Sequence, residues 1–140
     1  MNLPYNAVAE LVTHDGGFHA DDVLAMSVLL DLCPGAAAYR TRDPAMTCAA
    51  PGRIVVDVGY VHDPKSGLFD HHQNGAPTRE DGTTYSAFGL VWRHCGRDWL
   101  RHRGAAETAI DTIFDQIDQS VVYLVDRIDN GHMSPIDLGT

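Results

Sequence analysis

The segment FDHHQNG, residues 69–75, sets Asp70, His71 and His72 side by side between an aromatic residue and a turn-forming Asn-Gly pair. Imidazole and carboxylate groups are ordinary ligands of divalent metal ions, so the segment can be one part of a site whose other ligands lie elsewhere. Three further segments carry the same residue types. THDGGFHADD, residues 13–22, holds His14, Asp15, His19, Asp21 and Asp22; GRIVVDVG, residues 52–59, carries Asp57; VDRIDNG, residues 125–131, holds Asp126 and Asp129. Each has an ordinary alternative: Asp21 could cap a helix, Asp57 a loop, and the others could face solvent. Together the four groups fit a two-metal hydrolase. Two divalent ions about 3.5–4 Å apart need a bridging carboxylate, terminal imidazole and carboxylate ligands, and open positions for water and phosphate oxygens. Ligation by His and Asp without thiolate suits two Mn²⁺ ions, with Mg²⁺, Co²⁺ or Zn²⁺ as alternatives.

The elements that must position these groups alternate along the chain. Residues 7–14 read as a strand ending at His14, and 21–32 as a helix with Leu24, Val28 and Leu32 at four-residue steps before Pro34-Gly35. Residues 36–42 form a weaker strand candidate, and 52–59 a clear one, β-branched and ending at Asp57. A helix is expected over about 84–95 and another from near Ala105. In the latter, Ile110, Ile113, Phe114, Ile117, Val121, Leu124 and Ile128 repeat at helical steps and read as a core face. An uninterrupted helix would point Asp126 almost opposite that stripe and leave Asp129 nearer to it. Alternating strands and helices predict an α/β domain with a mainly parallel sheet flanked by helices, whose ligands bind beyond the C-terminal strand ends. His14 and Asp57 occupy such ends.

At 140 residues the chain is read as one domain, 1–140, long enough to bury a core; 44% hydrophobic and 21% charged residues describe a folded protein. A formal charge of −9 with ten Lys and Arg argues against a sequence-independent grip on long nucleic acid. The densest basic group, Arg93, Arg97, Arg101 and Arg103, reads as a solvated face. Cys33, Cys48 and Cys95 form no CxxC pair and read as reduced thiols. MNLPYNAVAE lacks the features of a signal peptide, and the longest apolar run, VLAMSVLL, is too short to cross a membrane. A cytoplasmic protein without membrane association is expected. Phe88, Trp92 and Trp99 are expected in the core or a helix interface.

The order His14-x-x-x-x-His19-x-Asp21, Asp-Val-Gly, Asp-His-His and a final Asp-Asn-Gly resembles the DHH phosphoesterase superfamily. THDGGFHADDVLA, DVG, FDHHQ, SAFGLVWRHCG and VDRIDNG resemble, within it, the melanocyte-proliferating-gene family of predicted metal-dependent exonucleases, over residues 12–131. The resemblance implies a DHH-phosphoesterase-like N-terminal domain that hydrolyses RNA or short oligonucleotides in the manner of a 3′–5′ exonuclease. It implies that His14 and His19 bind one metal, Asp21 and His71 the other, and that Asp57 bridges them. His72 would face the scissile phosphate, with Asp70 orienting the histidine pair. Asp129 matches the final motif and is preferred as the last ligand, with Asp126 second.

Two departures stand out. His19 replaces the usual first aspartate of Asp-x-Asp, and Tyr60 follows DVG where the family tends to have a second glycine, implying altered phosphate access. Family members resemble two-domain proteins, so a C-terminal domain absent from this chain, or a homodimer, is expected to complete the site. The rival from another class is a metal-binding or interaction domain without turnover of its own. An HD-type phosphohydrolase, suggested by His14-Asp15, conflicts with the strand-like 52–59. A zinc deaminase lacks its glutamate and its PCxxC.

Overall fold

The computed structural model describes residues 4–134; the two ends of the 1–140 assignment, residues 1–3 and 135–140, lie outside the described residues. Strands β1 (Glu10–Thr13), β2 (Ala37–Arg40), β3 (Arg53–Val56), β4 (His62–Asp63) and β5 (Leu68–Phe69) form one sheet in the order β2-β1-β3-β5-β4. All pairings are parallel except β4 with β5. Helices α1 (Ala20–Leu32), α2 (Ala87–His102), α3 (Ile110–Ile117) and α4 (Tyr123–Asp129) flank it. The α/β class with a mainly parallel sheet is the one expected.

Each expected strand is trimmed at its ends. β4 and β5 have no counterpart in the expectation, because two-residue strands carry no periodicity and exist only by pairing with their neighbours. The expected helix over 84–95 instead starts at Ala87, where the Ser86 hydroxyl caps it by accepting from the Gly89 amide (3.1 Å), and it runs on to His102.

One continuous core lies between sheet and helices. Leu11, Ile54, Val56 and Phe69 project from the sheet onto Ala25, Val28 and Leu29 of α1 and Leu90, Val91 and Trp92 of α2. Fully burying a side chain of this size is worth about 1.5–3 kcal/mol. Trp92 stacks on Phe114 with ring centroids 5.3 Å apart, which joins α2 to α3. Gly96 permits this contact: a Cβ there would meet Trp92 Cδ2 at 2.8 Å and Phe114 Cε2 at 2.9 Å. Val12 and Val55 are buried on the other face of the sheet. Arg53, two residues before Val55, reaches across that face to the carbonyls of Ala45 (3.1 Å) and Cys48 (3.3 Å). Phe88 and Trp92 are buried and Trp99 partly so, as expected of packing residues.

The last helix is not uniform. Between α3 and α4 the residues Asp118–Val122 form a π-helical turn, which holds one more residue than an α-turn and rotates the downstream helix by about 100°. The expected apolar stripe therefore breaks: Val121 is 43% exposed, while Val122 is fully buried and Val125 lies in the core. The same shift decides where the two aspartates downstream point.

Candidate metal centre

Three adjacent parallel strands end at one place. His14 follows β1, Asp57 follows β3, and Asp70, His71 and His72 follow β5. Chain order reverses between β1 and β3, because the β1–α1–β2 unit builds one way and β3 pairs on the other side of β1. Such a switch point leaves a crevice at the strand ends. Into it the start of α1 brings His19, Asp21 and Asp22, and the end of α4 brings Asp129.

His14 Nδ1 donates to the Asp15 carbonyl (2.8 Å), which turns Nε2 inward. That Nε2 is 3.1 Å from Asp57 Oδ2 and 3.6 Å from Asp22 Oδ2. His71 Nε2 is 3.2 Å from Asp129 Oδ2, 3.3 Å from Asp57 Oδ1 and 3.7 Å from Asp21 Oδ2. Three donor sets result, each with atoms within 4.8 Å of one another: His14, His19 and Asp57; His19, Asp21 and Asp129; and Asp57, Asp70, His71 and His72. Asp57 and His19 are shared between sets.

Four buried atoms from three segments, His14 Nε2, Asp21 Oδ1, Asp57 Oδ1 and His71 Nε2, complete no hydrogen bond among the described residues. Leaving one buried polar group unsatisfied costs about 1–3 kcal/mol. Four together, all lone-pair donors of imidazole or carboxylate type, fit a divalent cation. This buried cluster can hold a metal ion.

Electrostatics agree. Burial pushes the Asp21 carboxyl up, and the Asp57 and Asp129 charges add to it, reaching about 8. Burial pulls His71 down, but Asp57 and the Asp129 and Asp21 charges outweigh it and hold the imidazole at about 9. Protons collect where positive charge is needed. Asp57 itself has φ 58°, a left-handed conformation that costs an ordinary residue about 1–2 kcal/mol. Its amide bond to the Phe69 carbonyl (2.9 Å) helps hold it there.

Asp70 bonds the His72 ring and the His71 backbone. Its Oδ1 accepts from the His71 amide (2.7 Å) and from His72 Nδ1 (2.6 Å), and its Oδ2 from the Tyr60 amide (2.6 Å). Burial would raise this carboxyl, yet the bonds from His72 and Tyr60 outweigh burial and hold it below its ordinary value. His72 is half exposed, and among the described residues its Nε2 has no hydrogen-bond partner. Tyr60, at the position of the glycine departure, adopts φ 59°, a left-handed conformation suited to glycine.

The structure separates the two candidates for the last ligand. Asp129 faces His71. Asp126 is fully buried elsewhere: Oδ1 accepts from the Ser86 amide (2.9 Å) and hydroxyl (2.6 Å), and Oδ2 from Arg79 Nε (2.7 Å). Gly89 gives it room, since a Cβ there would collide with this carboxylate. The reading of Asp126 as a metal ligand therefore gives way to a hydrogen-bonding role, and its placement opposite the stripe fails because the π-turn interrupts the helix. Asp21 does not cap its own helix either: His19 holds the cap position, and Asp22 Oδ1 accepts from the His19 amide (2.7 Å). Asp15 lies outside the cluster, exposed and paired with Arg42 (3.0 Å), and the five-stranded sheet contradicts the helical HD architecture.

Arg40, Arg42, Arg79 and Ser86 belong to the site or its support and escaped the sequence reading, whereas Asp22 was named there with its segment. Arg40 Nη2 lies 3.7 Å from Asp22 Oδ2. Arg42 lines a small pocket with Asp57, Tyr60 and His72. Arg79 and Asp126 are 47 positions apart, beyond any local signal. An apolar cleft of about 430 Å³, lined by Val125 and Ile128, opens beside His19 and Asp129.

Comparison with known proteins adds a family match. Residues 10–137 match the MYG1 exonuclease model, described as an uncharacterised protein family (UPF0160). The chain is 39% identical over 133 residues to the MYG1 exonuclease of Mus musculus, covering 85% of this chain and 34% of that protein. It is 36% identical over 133 residues to the MYG1 exonuclease of Homo sapiens, covering 85% and 35%. To the MYG1 protein of Dictyostelium discoideum it is 32% identical over 128 residues, covering 86% and 38%. The chain thus spans about a third of the length of these curated relatives. No solved structure gives a significant match.

Proposed function

The chain belongs to the MYG1 exonuclease family, and from that premise we propose that it is the metal-binding domain of a divalent-metal-dependent phosphodiesterase of the DHH type. It cleaves RNA or short oligonucleotides as a 3′–5′ exonuclease. The observation that carries this reading is the convergence of four unpartnered buried donors at the ends of three parallel strands. The exonuclease names of the relatives support it.

In this reading His14, His19 and Asp57 hold one cation, and Asp21, Asp57, His71 and Asp129 the other, with Mn²⁺ preferred over Mg²⁺, Co²⁺ and Zn²⁺. Cations held there would supply positive charge that favours ionisation of a water and offsets charge on the phosphate. The His14 bond to the Asp15 carbonyl keeps Nε2 available as a ligand. Asp70 fixes His72 so that its free Nε2 meets a phosphate oxygen. Arg40 and Arg42 set two cationic groups at the rim of an otherwise acidic chain. Among the described residues no helix is long and apolar enough to cross a membrane, and the three unpaired cysteines suit the cytoplasm. A second copy or a further domain closing over the open cleft completes the substrate grip.

The second reading is a metal-binding domain without turnover of its own. Mn²⁺-dependent cleavage of a labelled RNA pentamer decides, with wild type beside His71→Ala and Asp57→Ala. Loss of cleavage by roughly a hundredfold or more in both variants is expected. Metal uptake without any cleavage favours the second reading, and unchanged uptake and cleavage in Asp57→Ala sinks both.

A further inference from the structure

Two aromatic side chains stand in solvent beside the acid–histidine cluster. Phe18, between β1 and α1, is 70% exposed, and Tyr60, after β3, is 69% exposed. Neither adds a large buried surface to the fold, yet both are held in place. The Arg40 guanidinium lies 3.7 Å from the Phe18 ring centroid and donates to the carbonyls of Gly16 and Gly17 (3.2 Å each), pinning the loop that carries the ring. Tyr60 is fixed by its amide bond to Asp70, in a left-handed conformation that a glycine would adopt without strain.

Both rings adjoin the cluster. Arg40 Nη2 is 3.7 Å from Asp22 Oδ2, itself 3.6 Å from His14 Nε2. The Tyr60 ring centroid is 6.3 Å from that of His72, whose Nδ1 is 3.6 Å from Asp57 Oδ1. One ring thus stands beside the His14 donor set and the other beside the His72 set.

We propose that Phe18, backed by Arg40, and Tyr60 are stacking platforms for the nucleobases that flank the scissile phosphate, so that the substrate is a single-stranded oligonucleotide. The proposal rests on the phosphodiesterase reading of the same site. An aromatic face accepts any base, because every base has a π-face, but a duplex hides those faces. Stacking also resolves the charge problem. A chain of net charge −9 with two rim arginines cannot bind through counterion release on many phosphates. It can bind a short strand through its bases, with Arg40 and Arg42 meeting the backbone between them. Binding then depends weakly on salt, with a log–log slope no steeper than about −1.4 for two phosphates of a single strand.

The test compares a labelled five-nucleotide oligoadenylate with an abasic strand of the same backbone, both in Mn²⁺, reading equilibrium binding and cleavage separately. Wild type is expected to bind the base-bearing strand at least roughly tenfold more tightly. Phe18→Ala and Tyr60→Gly each weaken that binding roughly five- to tenfold or more and leave the abasic strand unaffected, while Phe18→Tyr retains it. Tyr60→Gly also relieves the backbone strain, so its melting temperature does not fall, which separates lost stacking from lost fold. Equal treatment of the two strands by wild type, equal weakening of both in the variants, or no binding of either overturns the platforms. Cleavage without base dependence overturns this inference and leaves the phosphodiesterase reading standing. Base-dependent binding without cleavage does the reverse.

Discussion

The Arg79–Asp118–Asp126–Ser86 cluster and the His14–Asp21–Asp57–His71–Asp129 cluster are neighbouring polar groupings, and they meet where the Ala87 amide donates to Asp21 Oδ2 (3.3 Å). In the first, every polar group has a partner. Arg79 bonds Asp118 twice (2.6 and 2.9 Å) and Asp126 once, lies against Tyr85 and Tyr123, and Ser86 closes the remaining Asp126 oxygen. In the second, four buried donors are left over and acids outnumber the bases that face them. A buried polar cluster that satisfies itself holds the fold, whereas one that does not is shaped around something the chain does not supply.

Substitution should expose that contrast most sharply in stability. Asp126→Ala leaves the Arg79 charge and the Ser86 donors poorly matched and is expected to cost about 3–5 kcal/mol in chemical denaturation. Asp21→Asn, at equal burial, removes a carboxyl that burial and its acidic neighbours oblige to hold a proton, and is expected to leave the metal-free chain as stable or more so. Equal losses in the two variants would erase the distinction. Next in size, Mn²⁺ at a hundred times its dissociation constant should stabilise wild type by about 2.7 kcal/mol. The Asp21→Asn and His71→Ala variants should show little of this gain, as read by melting with and without metal.

The pH dependence of the metal-free chain arises from the second cluster. Asp21 is held up to about 8 and His71 up to about 9, so both bind protons more tightly when folded than when unfolded. The stability they add is complete below their ordinary values and lost as pH rises through 8 and 9. Denaturation midpoints should therefore fall between pH 6 and 9 without metal and hold steady with it; a flat metal-free profile counts against the cluster as drawn. The smallest effect belongs to the outer face of α2. Arg101 is half exposed and pairs with Asp98 and Glu107, and Arg101→Ala should leave the melting temperature unchanged.

How far the sequence spoke depended on distance along the chain. His14 and Asp57 were legible as candidate site residues because apolar strands deliver them to one edge of a parallel sheet. Choosing between Asp126 and Asp129 was harder, since DQSVV carries no glycine or proline to betray the π-turn, and a uniform helix was the natural assumption. Residues Leu68–Phe69 became a strand only by pairing with Val55 and Val56 of β3. The basic group on α2 lies on the solvated face expected of it. Arg97, Arg101 and Arg103 meet Asp111, Glu107 and Asp31 on the surface, while the less conspicuous Arg40 and Arg42 reach the candidate site across turns of chain that no periodicity describes.

The π-turn at Asp118–Val122 also makes this stretch sensitive to counting rather than to spelling. Gln119 and Ser120 are exposed and can be exchanged for many residues at little cost. Deleting either one restores an even helix and turns everything after it by about 100°, carrying Asp126 away from Ser86 and Asp129 away from His71 together. The segment therefore tolerates new letters at Gln119 and Ser120 but not a new length, and a one-residue deletion there is expected to dismantle the centre without touching any of its residues.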